Sequence, residues 1–328
     1  MEADDAVVRQ AQRGRGDECL RDACDRKKVV RFDAACGSGR FLVAGGEARS
    51  GAGDRGADQV GHKLVQHARV YSRTVATTTA PAASRPRAYV RVKGPDAEDF
   101  LQRMLSNDMT QPGVFDALLL TPKGRLIAPL RVWRRGDDDF LLLTEPELGD
   151  VVQTTLLRAR FAAKCEIEPE HHTSTLVFGG AEGLPGEVPG TVEILDADAE
   201  PTLDAGELER RRIEAGVPAW GKELDDTILP AEAGLDETHI SFTKGCYPGQ
   251  EPIVRLHHRG HLNRRLRVLE VESAQPGDEI EYESKMVGRI TSAVPGFALG
   301  YVRTEVPDEA ELSVGGAVAR LHLTPARP

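Results

Sequence analysis

Residues 244–251 read KGCYPGQE and place a lysine, a cysteine, a tyrosine, two glycines, a glutamine and a glutamate in eight positions. The thiolate is the nucleophilic form of cysteine, and a nearby cation favours it. Lys244, two residues before Cys246, is expected to supply that charge. Gly245 and Gly249 permit positive φ and close approach of backbone to a ligand. Tyr247 offers a stacking face with a hydroxyl, Gln250 an amide and Glu251 a carboxylate. The stretch reads as a recognition turn carrying one soft nucleophile. The competing reading is a structural cysteine, a small hydrophobe beside a solvated lysine.

The next segment, RLHHRGHLNRR at 255–265, brings His257, His258 and His261 together with Arg255, Arg259, Arg264 and Arg265. His257 and His261 have i,i+4 spacing, but Gly260 weakens a helix and no glutamate completes an H-E-x-x-H pattern, so no metal site is expected. An anion-binding edge suits the arginines better, because guanidinium pairs with carboxylate or phosphate in bidentate fashion. A solvated basic turn leading into the next element is the alternative. CGSGRFLVAGG at 36–46 lacks the third glycine of a dinucleotide loop, and no Walker A, G-x-S-x-G or paired C-x-x-C motif occurs.

These residues sit in a chain of 328 residues with a net charge of −10, long enough for two or three compact units. The acidic balance argues against an electrostatic nucleic-acid binder. The five cysteines, at 19, 24, 36, 165 and 246, are odd in number and irregularly spaced, which fits neither a disulfide framework nor a zinc site. The start, MEADDAVVRQ, lacks the order of a secretory signal, and no apolar run approaches the roughly 20 residues of a spanning helix. A cytoplasmic protein without membrane association is expected.

Residues 1–87 carry a net charge of +5 against −15 for the remainder, and GEARSGAGDRGAD and TVATTTAPAASRPR are poor in apolar residues. This part reads as a disordered or linker-like extension with one strand candidate at 40–46. From Ala88 the periodicities become regular. AYVRVKG alternates as a strand, and PDAEDFLQRMLSND (95–108) reads as a helix with an acidic first turn. Three strands are expected across 115–146, then a helix over 148–161, strands near STLVFGG and GTVEILD, and a helix from 204 to Gly216. After Arg264 the chain is all short strands, a small β-barrel or sandwich. The fold class is α+β.

KGCYPGQE closely resembles the K-G-C-Y-x-G-Q-E signature of the YgfZ-type folate-binding proteins, relatives of the glycine-cleavage T-protein, the aminomethyltransferase. The resemblance covers about residues 88–325. RVKGPDAEDFLQRMLSND is similar to the family's opening strand and helix, and RRRIEAGVPAWGKELDDTILPAEAGLD (210–236) to a segment shared by both branches. GRLIAPLRVW at 124–133 resembles the T-protein hairpin, but Ala128 and Pro129 stand where that hairpin has two aspartates. Neither can handle a proton on a folate nitrogen. With Cys246, which the T-protein branch lacks, this places the chain on the YgfZ side.

The resemblance implies three modules in a cloverleaf around a central hole that holds tetrahydrofolate or a one-carbon derivative. Residues 1–87 would form the extension, 88–263 two interleaved α/β-mixed modules, and 264–328 the barrel. Glu214 matches the T-protein glutamate that holds the pterin ring. Tyr247 and Gln250 would shape the pocket, Arg255 would meet the acidic folate tail, and Cys246 with Lys244 would carry the chemistry. The implied role is iron–sulfur cluster assembly or repair in client enzymes, tRNA-modifying enzymes included, through transient contact. One cysteine cannot hold a cluster alone, since clusters usually take four ligands. A folate-dependent one-carbon transferase and a non-catalytic folate-sensing scaffold are the alternatives.

Overall fold

The computed structural model describes residues 80–179, 182–196 and 200–322. The strand expected at 40–46, Cys19, Cys24, Cys36 and most of the expected extension lie outside them. The end of that extension is not linker. Ala82–Ser84 forms strand β1, buries Ala82 and Ala83, and pairs antiparallel with β7, Ser174–Phe178. Pairing with a distant strand, invisible in an Ala/Ser composition, sets this local structure. β7 continues to β9 (Thr191–Leu195) and β8 (Leu184–Pro185), giving a four-stranded sheet of order β1-β7-β9-β8.

The second sheet has the order β3-β4-β5-β2-β6, with every neighbouring pair antiparallel. Its strands are β2 (Ala88–Lys93), β3 (Gly113–Leu120), β4 (Leu126–Arg134), β5 (Asp139–Thr144) and β6 (Glu166–Glu170). Helices α1 (Ala97–Met104) and α2 (Gly149–Ala159) cover one face, where Phe100, Leu101, Val152 and Leu156 pack on Val90, Val92 and Leu142. The other face buries Tyr89, Leu141 and Leu143, and Leu118, Leu120 and Leu126. Both faces are covered, which is why the LLL runs of β3 and β5 do not alternate with polar residues. The sequence reading omitted β6. Its EIEPE buries only Ile167, and Pro169 is tolerated because β6 is an edge strand.

Helix α1 ends four residues earlier than its periodicity predicts. Leu105 leaves the helix to bridge Leu119, and Ser106 and Asn107 turn inward. Ser and Asn compete for backbone partners and end helices more readily than they extend them.

Asp204 caps α3 (Ala205–Glu214) by accepting from the Glu207 amide at 2.8 Å. A short 3-10 turn at Pro230–Ala233 and helix α4 (Gln250–Arg259) follow. The barrel is closed, in the order β10-β13-β12-β11-β14-β15. Its strands are β10 (Arg264–Val271), β11 (Glu279–Tyr282), β12 (Lys285–Val294), β13 (Gly296–Arg303), β14 (Glu311–Val314) and β15 (Ala317–His322). The sequence reading missed β14, four residues long, but closure through it leaves no sheet edge exposed. Glu223, fully buried, joins α3 to the barrel: it accepts from Arg212 at 2.8 Å, from Thr291 at 2.8 Å and from Ser292 at 2.6 Å.

Candidate functional site

Cys246 lies in an irregular segment just before α4, and its side chain is exposed. The other described cysteine, Cys165, is buried, and burial pushes its thiol pKa up. Anchors hold the chain on both sides of Cys246. On the N-terminal side, Lys244 Nζ donates to the carbonyls of Leu105 and Asn107 at 2.7 and 2.8 Å. The Ser106 hydroxyl donates to the His239 carbonyl at 2.6 Å and accepts from the Leu118 amide at 2.8 Å. Asn107 Nδ2 donates to the carbonyls of Asp116 and Thr238 at 2.7 and 3.1 Å. The turn that ends α1 therefore fastens segment 238–244 to β3. Sequence reasoning placed Ser106 and Asn107 inside a helix. Two helix-poor polar residues beside an apolar run were the available signal.

On the C-terminal side, Tyr247 is sunk into the core among Leu118, Leu126 and Ile253. Burial pushes its phenol up to about 12, and its hydroxyl has no hydrogen-bond partner among the described residues. Gly249 has φ 84 and opens α4. A Cβ there would lie 2.4 Å from the Thr121 carbonyl and 3.0 Å from Gly124 Cα, so glycine lets α4 dock on the β3–β4 turn. Gly245 does not share this role: its φ is not positive, and a Cβ there would meet open space.

Lys244 is half-buried, and burial lowers its pKa to about 8, with Asp108 opposing the fall. Its donors are committed to carbonyls, and its ammonium also lies 5.4 Å from the Tyr247 ring centroid. An NMR titration of lysine Cε signals, assigned with Lys244→Gln, is expected to show Lys244 titrating near pH 8, below the ordinary lysine value of about 10.4. The folded lysine releases its proton at lower pH than the unfolded one. Stability from this group therefore rises as pH goes from about 8 towards 10.5. Uniform titration of all lysines near 10.4 would contradict the burial.

A second locus is a cavity of ≈250 Å³ between the five-stranded sheet, the β8–β9 region and segment 217–239. Pro129, Arg131, Thr144, Glu187, Trp220 and His239 are on its walls. An adjoining cavity of ≈370 Å³ shares Glu145, Glu187, Val217, Pro218 and Trp220 with it. The charged wall is a network. Arg85 pairs with Glu145 at 2.6 Å and Glu187 at 2.5 Å. Arg87 pairs with Glu187 at 2.9 Å and with Glu193 at 2.5 Å. Burial pushes the Glu187 carboxyl up, but the Arg87 and Arg85 guanidiniums outweigh it and hold the carboxyl far below the usual range. Arg131 is different. Its side chain is nine-tenths buried and its Nε and Nη1 make no hydrogen bond, although Asp116 lies 3.3 Å and Glu193 3.6 Å away. Buried donors without partners are uncommon, and here they line a cavity.

The residues expected to form one site do not converge. Cys246, Tyr247, Gln250 and Arg255 are not on the walls of either cavity. Arg255 is exposed and paired with Glu251 one helical turn away at 2.8 Å. Gln250 is half-buried at the start of α4. Glu214, expected at the pterin, pairs with Arg210 at 2.8 Å on α3, about a third exposed, and does not line the central cavity. The i,i+4 spacing of Arg210 and Glu214 on a helix favours that pair. Arg87, Arg131, Glu187 and Trp220, which the sequence reading did not select, line the cavity instead. Ala128 is fully buried and Pro129 is on the cavity wall, so the strand that bears aspartates in the T-protein presents no carboxylate there.

Residues 263–328 match the family model described as the CAF17 C-terminal beta-barrel domain. The tRNA-modifying protein YgfZ of Cronobacter sakazakii is 28% identical over 255 residues, covering 63% of this chain and 77% of that one. The mitochondrial iron–sulfur cluster assembly factor IBA57 homolog of Neurospora crassa is 28% identical over 261 residues, covering 64% and 59% respectively. An uncharacterized Haemophilus influenzae protein is 28% identical over 228 residues, 62% of this chain and 81% of its own. Among solved structures, the glycine cleavage system aminomethyltransferase T of Bartonella henselae superposes with a TM-score of 0.66 at 16% identity, covering 79% of this chain and 89% of that one. The chain is similar in sequence to the YgfZ and IBA57 proteins and shares the fold of aminomethyltransferase T.

Proposed function

We propose that this protein binds a reduced folate, tetrahydrofolate or a one-carbon derivative, in the central cavity and serves iron–sulfur cluster assembly or repair in client enzymes. The relatives named for tRNA modification and cluster assembly support this reading. The observation that carries the folate part is Arg131, whose buried Nε and Nη1 make no hydrogen bond despite the nearby carboxylates and so suit a ligand acceptor. The 4-oxo group and N1 of a reduced pterin are acceptors that suit Arg131, and its flat pyrimidine half suits the Trp220 ring. The adjoining cavity gives room for the rest of the molecule. Bound there, the folate would supply one-carbon carrying capacity, while this chain's residues bind and orient it. Pro129 brings no carboxylate to the wall, and Glu145 and Glu187 are committed to arginines; Asp116, 3.3 Å from Arg131, is the other carboxylate on this wall.

Cys246 is the proposed reactive thiol, held at the surface where a client can reach it. A cluster would be cargo in transient contact and not a resident group, since one cysteine provides one of the usual four ligands. A reducing compartment, cytoplasm or mitochondrial matrix, fits a working thiol. Among the described residues no helix is long and apolar enough to cross a membrane. Titration calorimetry with tetrahydrofolate tests the cavity. Arg131→Ala is expected to weaken binding roughly 10- to 100-fold, as loss of a hydrogen bond from a charged group does. A wild-type protein that does not bind tetrahydrofolate, or a folded Arg131→Ala that binds it equally well, refutes this placement.

A further inference from the structure

The barrel mouth carries a feature the folate reading does not use. A cavity of ≈450 Å³ lies where the end of α4 meets β10 and β13. Val302, Val306 and Leu321, all buried in the barrel core, and Ile253 from α4 give it an apolar floor. Arg265, Arg267 and Arg303 line it together with Asp236 and Asp308. Arg267 is neutralised by Asp308 at 2.7 Å. Arg303 has only an exposed contact to Glu305 at 3.4 Å. The Arg265 side chain has no hydrogen-bond or ion-pair partner among the described residues. His257, stacked on Phe242 with ring centroids 4.0 Å apart, extends one wall, and His261 lies just past the helix cap. In a chain of net charge −10, a concavity with surplus arginine is not background.

We propose that this mouth is a second ligand site, for a small organic anion with an apolar body: a carboxylate or a phosphate ester. The apolar group enters the barrel mouth, a recurrent place for small-ligand sites. The oxyanion pairs with Arg265, which lies opposite the buried Val302 and so shares its face of the β10–β13 ribbon, and whose forked donors suit carboxylate and phosphate alike. The site stands independently of the folate reading.

Titration calorimetry of the full chain with phenyl phosphate, benzoate and inorganic phosphate tests it. Saturable binding of phenyl phosphate or benzoate is expected, with inorganic phosphate at least tenfold weaker. Preference between the two aromatic probes identifies the head group. The double variant Arg265→Ala/Arg303→Ala, at two exposed positions, is expected to stay folded by circular dichroism and to lose at least tenfold in affinity. Saturating tetrahydrofolate is expected to leave the binding intact. The proposal fails if neither organic probe saturates, if the double variant binds as wild type does, if inorganic phosphate binds as tightly, or if folate displaces the probe.

Discussion

Glu193→Ala is expected to lower the unfolding free energy by about 3–5 kcal/mol, the usual cost of removing one partner from a buried ion pair. Glu193 is fully buried on β9 and holds three groups: Arg87 Nε at 2.5 Å, the Ser174 hydroxyl at 2.6 Å, and Arg131 at 3.6 Å. Arg87 is itself 3% exposed, so alanine leaves a guanidinium buried with Glu187 as its remaining carboxylate. The effect reaches past one strand. Arg87 precedes β2 of the five-stranded sheet while Glu193 and Ser174 belong to the four-stranded one, so the pair ties two sheets together. Denaturant unfolding at neutral pH checks this, with Glu193→Gln expected to lose less because it keeps the hydrogen bond to Ser174. A loss under about 1 kcal/mol for the alanine variant would show that the network is solvated in solution, as exposed pairs are.

The same network shows where sequence reasoning stops. Strand β2, helix α2 and the barrel strands were legible because their apolar residues recur at the period of the element that buries them. KGCYPGQE was legible as a special turn because its residue types are individually uncommon. Arg87, Arg131 and Glu193 were not legible. Each sits in a segment that reads as strand or linker, and the Arg87–Glu193 and Arg131–Glu193 pairs join residues more than sixty apart. Long-range pairing of charges has no local period. Ser106 and Asn107 failed for the opposite reason: their neighbours continue a helical stripe strongly enough to hide a helix end. Glu214 was chosen by position in a motif. The structure shows that the i,i+4 arginine on its own helix engages it.

The motif itself changes meaning once folded. Tyr247 and Gly249 are packing residues: one fills the core, and the other brings α4 against the β3–β4 turn. Lys244 anchors the loop through carbonyls and does not depend on Cys246 for a partner. These three serve to hold one exposed thiol at a fixed place on the surface. The other described cysteine, Cys165, is buried.

The most direct test of that claim is Cys246→Ser, an exposed change of one atom that leaves the anchors untouched. Wild type and variant are produced in a strain lacking its own relative of this protein. The activity of an iron–sulfur enzyme, such as a tRNA methylthiotransferase, is then measured alongside tetrahydrofolate affinity. The account predicts that the variant restores at most a tenth of the wild-type activity while binding tetrahydrofolate as tightly. Full restoration by Cys246→Ser would contradict it and leave the cavity alone to carry the function.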